Sequence, residues 1–311
     1  RPAKKQAAEA SGKEQPAEQE KAKSGKGQAK PAKPAKGKKQ ESRKKAEPSA
    51  LEAAVMAAAQ KAKNAVKGAR GKAKKETRKP TVRIIPLGGL NEIGKNMTLF
   101  ECQDDMFIVD CGLAFPDEEM LGVDIVIPDF TYVEKNRDKI RGLVLTHGHE
   151  DHIGGVAYLL KTVNMPVYGT ALTIGLVEGK LKEHGILKKA KLNVVKAGDV
   201  VKMGCMSAEF IHVNHSIPDA CGFAIKTPAG VIIHTGDFKI DYTPIEGGMI
   251  DLARFGELGS QGVLALMCES TNAERPGMAN SERRVGKTFM QLFTGNNKRI
   301  IVATFASNIH R

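Results

Sequence analysis

Cysteine is scarce and unpaired. Cys102, Cys111, Cys205, Cys221 and Cys268 are an odd number, far apart and without a CxxC pair. That argues against a disulfide framework and against a thiolate zinc site, and it fits buried thiols in a reducing compartment. Long apolar runs are missing too. Nothing approaches the ~18 consecutive apolar residues of a spanning helix, and the amino end is Lys, Ala and Pro without the apolar core of a signal peptide. The expectation is a soluble cytoplasmic protein with no membrane partner. The chain opens on Arg1 and not on Met, so an upstream start is expected.

Aromatic and branched apolar residues are almost absent from the first quarter, and the charge is split. Residues 1–80 hold 24 of the 48 Lys and Arg and 8 of the 35 Asp and Glu, a net +16; the remainder holds 24 and 27, a net −3. A uniformly basic nucleic-acid binder is therefore excluded, because the body is slightly acidic. To about Pro48 the composition predicts disorder. A capping box at Ser49 and Glu52 predicts a weak helix over 49–68. Two readings of this extension stay open, an RNA-binding or ribosome-binding arm acting through phosphate neutralisation and a solvated, solubilising tail.

At Thr81 the pattern changes. VRIIPLGG, MTLFEC and MFIVDCG read as consecutive strands between turn residues. Strand-like GLVLT (142–146) leads into a helical run over 156–163. PVYGT leads into a second helix from Ala171 to about His184. Further strands are expected at 192–195, 206–213, 222–226, 231–234, 262–267 and 299–303. Strands interleaved with a few helices point to an α/β (α+β) fold of sheets covered by helices, not a doubly wound nucleotide fold.

The chemistry concentrates in His147-Gly148-His149-Glu150-Asp151-His152, directly after a strand and before a helix. The strand end fixes the backbone and Gly148 lets it bend. His147 and His149 can then converge on one ion while Asp151 and His152 face a second. Imidazole and carboxylate ligands without nearby cysteine favour Zn²⁺ or Mn²⁺. Two coordination shells need more ligands at strand ends. His215 in HVNHSIPD and Asp237 in HTGDF supply them, and a carboxylate at 237 could bridge. Two ions roughly 3.5–4 Å apart acidify a water and neutralise charge on a phosphoryl or acyl oxygen, which is metal-assisted hydrolysis. His212 is expected to point elsewhere on its strand, His234 to pack or to stand behind the ligands, and His184 to end a helix. Asp110 in VDCG either orients a ligand by a hydrogen bond or is a turn residue. Asp117, Glu118, Glu119 and Asp124 read as a solvated loop rather than a hard-cation site.

HGHEDH, with LGGLNEIGKN and VDCG before it and NHSIPD and HTGDF after it, resembles the metallo-β-lactamase superfamily. FPDEEMLGVDIVIPD, ESTNAERPG and ATFASNIHR narrow the resemblance to the ribonuclease J family, which carries an inserted β-CASP domain. The resemblance implies a metallo-β-lactamase αββα sandwich over 81–285 and the start of a β-CASP domain over 286–311. It implies a two-zinc ribonuclease that cuts RNA endonucleolytically and 5′ to 3′, preferring a 5′ monophosphate, in RNA maturation and decay. Manganese is the alternative ion. His147, His149, His215 and Asp237 would hold one ion, and Asp151, His152 and the shared Asp237 the other. Asp151, Glu269 and Asp110 are the residues expected to take part in catalysis. Glu269, where the family more often has Asp, would sit beside the ions and orient ligands or the attacking water. Implied partners are RNA, a second copy or a paralogous subunit, and the RNA-decay machinery or the ribosome.

Set against the family pattern, the fold is expected to be incomplete at its C-terminus. The expected consequences for the chain alone are an incomplete second metal site, an open sheet edge and weak activity. Two rival readings are a non-catalytic RNA-binding subunit and another hydrolase of the same fold. Intact ligands argue against the first, and the nuclease-branch phrases against the second.

Overall fold

The computed structural model describes Met56 and residues 80–305. The expected disordered stretch and all of the expected helix 49–68 except Met56, which is helical, lie outside the described residues.

Two sheets make the body. The first runs, in spatial order, β1 (Val82–Gly88), β2 (Met97–Cys102), β3 (Asp105–Val109), β4 (Ile140–Val144), β5 (Pro166–Gly169) and β6 (Lys191–Val194). β1 to β3 pair antiparallel, and β3 to β6 are parallel. The second sheet holds β7 (Val200–Met203), β8 (Met206–His212), β9 (Cys221–Thr227) and β10 (Gly230–His234), all antiparallel, with β11 (Ala265–Met267) parallel to β10 at the edge. The helices are α1 (Thr131–Lys135), α2 (Glu150–Ile153), α3 (Val156–Thr162), α4 (Ala171–Glu183), α5 (Leu252–Gln261) and α6 (Arg283–Phe293). None of the described helices is long and apolar enough to cross a membrane.

Period-two alternation explains the layering. β2 is buried along its whole length and serves an apolar core on each face, its one buried charge, Glu101, being paired with Lys139 and Arg83. Met97 and Leu99, with Met106, Ile108, Leu143 and Leu145, pack against α3 and α4 through Val156, Leu159, Ile174 and Val177. The opposite parity, Phe100, Cys102, Phe107, Val109 and Val144, packs against the second sheet through Met203, Phe210, Phe223 and Ile225. On the far face of that sheet, Ile211, Ala224 and Ile233 meet Leu258 of α5. The order helix, sheet, sheet, helix is the αββα sandwich. Phe100 stacks on Phe107 at 5.4 Å, and Phe210 meets Phe223 edge-on at 4.8 Å, all four fully buried. Each contributes roughly 2–3 kcal/mol of burial.

α5 is tied to its sheet by charge as well. Arg254 grips Glu209 of β8 with two bonds, Nε to Oε1 at 2.6 Å and Nη2 to Oε2 at 3.0 Å, and Lys226 reaches Oε2 at 2.9 Å. The hydrogen bond from Arg254 is the main reason the Glu209 pKa lies below its ordinary 4.5. A carboxyl with a depressed folded pKa contributes stability above its unfolded pKa and loses it as pH falls through the folded one. Glu209→Gln should therefore lower the urea midpoint at about pH 7, with the gap from wild type closing below pH 4.5. A gap unchanged in acid would count against this ion pair.

The structure departs from expectation in four places. Residues 299–303 form no strand: they are exposed and pair with no strand among the described residues. β7, α1, α5 and α6 form where no element is expected. α6 runs through the expected domain boundary at 285/286, which therefore falls inside a helix. Gly148 has no positive φ; its missing side chain makes room for Leu176, whose Cδ1 would lie 2.5 Å from a Cβ there. Among the described residues, no strand covers the outer side of β11, where Leu264 and Leu266 are exposed.

Candidate metal centre

Five strands end at one rim of the sandwich, and each delivers a polar side chain just past its last paired residue. β3 delivers Asp110, β4 His147, β8 His215, β10 Asp237 and β11 Glu269. His149 precedes the short α2, which carries Asp151 and His152. The turn is stitched to its neighbours by backbone bonds, Asn96 N to Asp151 O at 3.0 Å, Cys111 N to His152 O at 2.8 Å and Leu113 N to Glu150 O at 3.0 Å.

The six expected ligands come together. His149 Nδ1 lies 3.1 Å from both His147 Nε2 and His215 Nε2. These three imidazoles form one group able to hold an ion, and His147, His152 and Asp237 form a second. Asp151 Oδ2 is 3.6 Å from His152 Nε2, which places it at the second group. The Asp237 carboxylate lies between the two groups, Oδ1 at 3.4 Å from His152 Nε2 and Oδ2 at 3.6 Å from His215 Nε2. His147 belongs to both groups here, whereas the sequence reading expects it with one ion. The donor set is imidazole and carboxylate without thiolate, and it fits zinc or manganese.

Electrostatics follow from burial and pairing. Burial, reinforced by three neighbouring imidazoles, pushes the His147 pKa well below the ordinary histidine value. Burial acts the same way on His152, but the Asp110 and Asp237 carboxylates outweigh it and hold its pKa well above. Burial would raise the Asp237 pKa; the hydrogen bond with His152 and the surrounding imidazoles bring it below its ordinary value. An ion at His152 Nε2 must displace a proton there.

Asp110 stands behind the ligands and not among them. Its Oδ2 accepts from His152 Nδ1 at 2.7 Å and from Thr146 Oγ1 at 2.7 Å, while Oδ1 accepts from Thr146 N at 2.8 Å. Its backbone is left-handed, φ 60°, a strained conformation for a residue with a side chain. Glu269 accepts from Phe238 N at 3.3 Å and Thr271 N at 2.9 Å, so its carboxylate braces the residue after Asp237. A cavity of about 330 Å³ beside the centre is lined by Asn96, Asp110, His152, Asp237, Cys268 and Glu269, among others.

The other described histidines are not among the ligands, although His234 lines the cavity beside the centre. His212 Nε2 is 3.0 Å from Gly248 O, His234 Nδ1 accepts from Gly236 N at 3.1 Å, and His184 contacts Lys161 Nζ at 2.9 Å. Asp117, Glu118, Glu119 and Asp124 are exposed in a turn-rich loop. Two residues at the centre escape the sequence reading. Asn96 Nδ2 lies 3.2 Å from His152 Nε2; it closes the LGGLNEIGKN phrase, which by itself assigns it no role. Thr146 is signalled only by a hydroxyl at the end of an otherwise apolar strand.

Comparison with known proteins agrees with this geometry. The metallo-beta-lactamase superfamily profile matches residues 90–252. The chain is 48% identical over 239 residues to the ribonuclease J of Synechocystis sp., covering 76% of this chain and 37% of that protein. It is 47% identical over 230 residues to ribonuclease J 1 of Streptococcus pyogenes, covering 74% and 41%. The chain thus spans about two fifths of the length of these relatives. A solved structure of a protein of unknown function from Enterococcus faecalis shares the fold, with TM-score 0.52 and 18% identity over 68% of this chain and 57% of that one. The profile match over half the chain, the αββα layering and the ligands gathered at the strand ends lead to one conclusion: the chain belongs to the metallo-β-lactamase superfamily and is similar, within it, to ribonuclease J.

Proposed function

We propose that the chain carries the metal centre of a ribonuclease acting in RNA maturation and decay, with 5′–3′ exonucleolytic and endonucleolytic cleavage. The observation that carries the reading is the Asp237 carboxylate set between two groups of imidazoles, an arrangement that suits a pair of ions sharing one ligand. Similarity to ribonucleases J supports RNA as the substrate.

In this reading His147, His149, His215 and Asp237 hold one zinc ion, and Asp151, His152 and Asp237 the other, with manganese as the alternative. Bound ions supply Lewis-acid polarisation of the phosphoryl group and acidification of a water. The protein's own groups keep the ligands aimed. Asp110 fixes the His152 ring, the backbone bonds of Cys111 and Asn96 fix the turn that carries Asp151, and Glu269 holds Phe238 beside Asp237. Oligomerisation with a second copy or a paralogue, the ribosome or RNA-decay machinery as partners, and a cytoplasmic location belong to the same proposal.

Elemental analysis after dialysis, beside an assay with 5′-monophosphorylated RNA, tests it. Bound zinc or manganese is expected, with cleavage that is abolished by a chelator and restored by either ion. β-Lactams and thioesters should be left intact. Protein that takes up neither ion, or RNA cleavage indifferent to the chelator, would overturn the proposal.

A further inference from the structure

Thr146 lies at the seam of the sandwich with every polar atom committed. Its N–H donates to Asp110 Oδ1 at 2.8 Å, and its carbonyl accepts from Cys221 N of the second sheet at 2.9 Å. Its Cβ and methyl face Gly236, close enough that a Cβ on that glycine would come within 3.2 Å of both. The residue is fully buried, so no water can stand in for a missing partner. What is left is the hydroxyl, and three atoms surround it: Asp110 Oδ2 at 2.7 Å, His147 Nδ1 at 3.0 Å and His152 Nδ1 at 3.3 Å.

The hydroxyl has one proton to give and two lone pairs to offer. Two assignments are possible. In one the proton goes to Asp110 Oδ2, and Thr146 Oγ1 accepts the Nδ1–H of His147. In the other the proton goes to His147 Nδ1, which forces the ring proton of a neutral His147 onto Nε2, the nitrogen that faces His149 and the ion position. The shorter contact is with Asp110, and a carboxylate is the better acceptor. The same Oδ2 accepts the Nδ1–H of His152. His147 then carries its proton on Nδ1, away from the centre, and presents Nε2 as a lone pair, while His152, whose Nδ1–H is fixed on Asp110, offers Nε2 once an ion displaces the proton there.

We propose that the Thr146 hydroxyl is a positioning group which, with Asp110, sets the ring tautomer of His147 and ties it to the orientation of the His152 ring, so that one buried hydrogen-bond network prepares ligands in both metal groups. Thr146 touches neither ion nor substrate in this role. It acts by deciding which nitrogen of His147 carries the proton, as partners behind a ligand generally do. The inference rests on the metal-centre reading above.

The test uses the full 311-residue chain, with zinc affinity measured by chelator competition, the visible spectrum of the cobalt-substituted protein and ¹⁵N–¹H NMR of the imidazoles in the metal-free state. Wild type should show His147 protonated on Nδ1. Thr146→Val removes only the hydroxyl and should weaken zinc binding about 10- to 100-fold and alter the cobalt spectrum. Thr146→Ser restores the hydroxyl and should return affinity to within about threefold of wild type, well short of that loss. A structural role for the methyl alone would give the reverse pattern, with the serine variant impaired and the valine variant normal, and that result would overturn the inference. So would wild-type His147 protonated on Nε2, a finding that needs no variant to fold. A wild-type chain that binds neither zinc nor manganese overturns the metal centre and this inference together, whereas tight binding with the Nε2 tautomer overturns this inference alone.

Discussion

Asp237→Ala is expected to empty both metal groups, lowering bound zinc from the wild-type content to less than half an ion per chain and ion-dependent RNA cleavage by at least about a hundredfold. The reason is position. One oxygen lies 3.4 Å from His152 and the other 3.6 Å from His215, so a single truncation removes a ligand from each group. The remaining imidazoles would stand close together with less negative charge among them. His152, 3% exposed and held in its charged form chiefly by two carboxylates, would keep Asp110 and the more distant Asp151. That costs the metal-free fold about 1 kcal/mol. Asp237→Asn keeps the shape and one accepting oxygen, and it should retain more metal than the alanine variant while still losing activity. His212→Ala is the matched control. Its ring bonds Gly248 O rather than either group, so its ion content should equal wild type. Elemental analysis of the three variants decides the matter: alanine at 237 with full occupancy would remove Asp237 from the ligand set.

The control also shows where the sequence is informative. HGHEDH points to a metal centre by itself, because four ligand side chains within six residues need only a strand end and one helical turn to converge. His215 and Asp237 are recognisable as polar residues just past apolar strands, and the strand expected over 206–213 already sets His212 within it and His215 beyond. The sheet has the same arrangement. His212 is the last paired residue of β8, and His215 lies beyond its end at the rim. The sandwich is legible from alternation in β2, β3 and β4, whose two parities serve two cores. β7 is not: four residues, alternately exposed and buried, carry too short a pattern. The expected strand at 299–303 has the apolar run but no ladder partner among the described residues, and a strand is made by its partner. Thr146 and Asn96 could not be singled out, since their importance lies in which atoms they face, and that depends on strands paired across the whole body.

Gly112→Ala is expected to damage fold and metal centre together, by backbone collision alone. A methyl there would come 1.6 Å from Asp151 O and 2.8 Å from His152 N. Backbone atoms cannot swing aside as a side-chain tip can. The segment 111–113 would have to part from the turn that carries two of the ligands. That movement strains the bonds Cys111 N to His152 O, Leu113 N to Glu150 O and Gly112 N to Asn96 O. Overpacking against a rigid neighbour reaches about 3 kcal/mol at the top of its usual range, and this site belongs there. The thermal midpoint should fall by several degrees, and zinc affinity should fall with it, because Asp151 and His152 are displaced although neither is mutated. Gly179→Ala separates this from any general effect of alanine. It lies in α4 with open space where its Cβ would go, so it should raise stability by up to about 1 kcal/mol and leave zinc binding alone. If Gly112→Ala binds zinc and unfolds like wild type, the close approach of these two segments is wrong, and with it the account of how the second metal group is held in place.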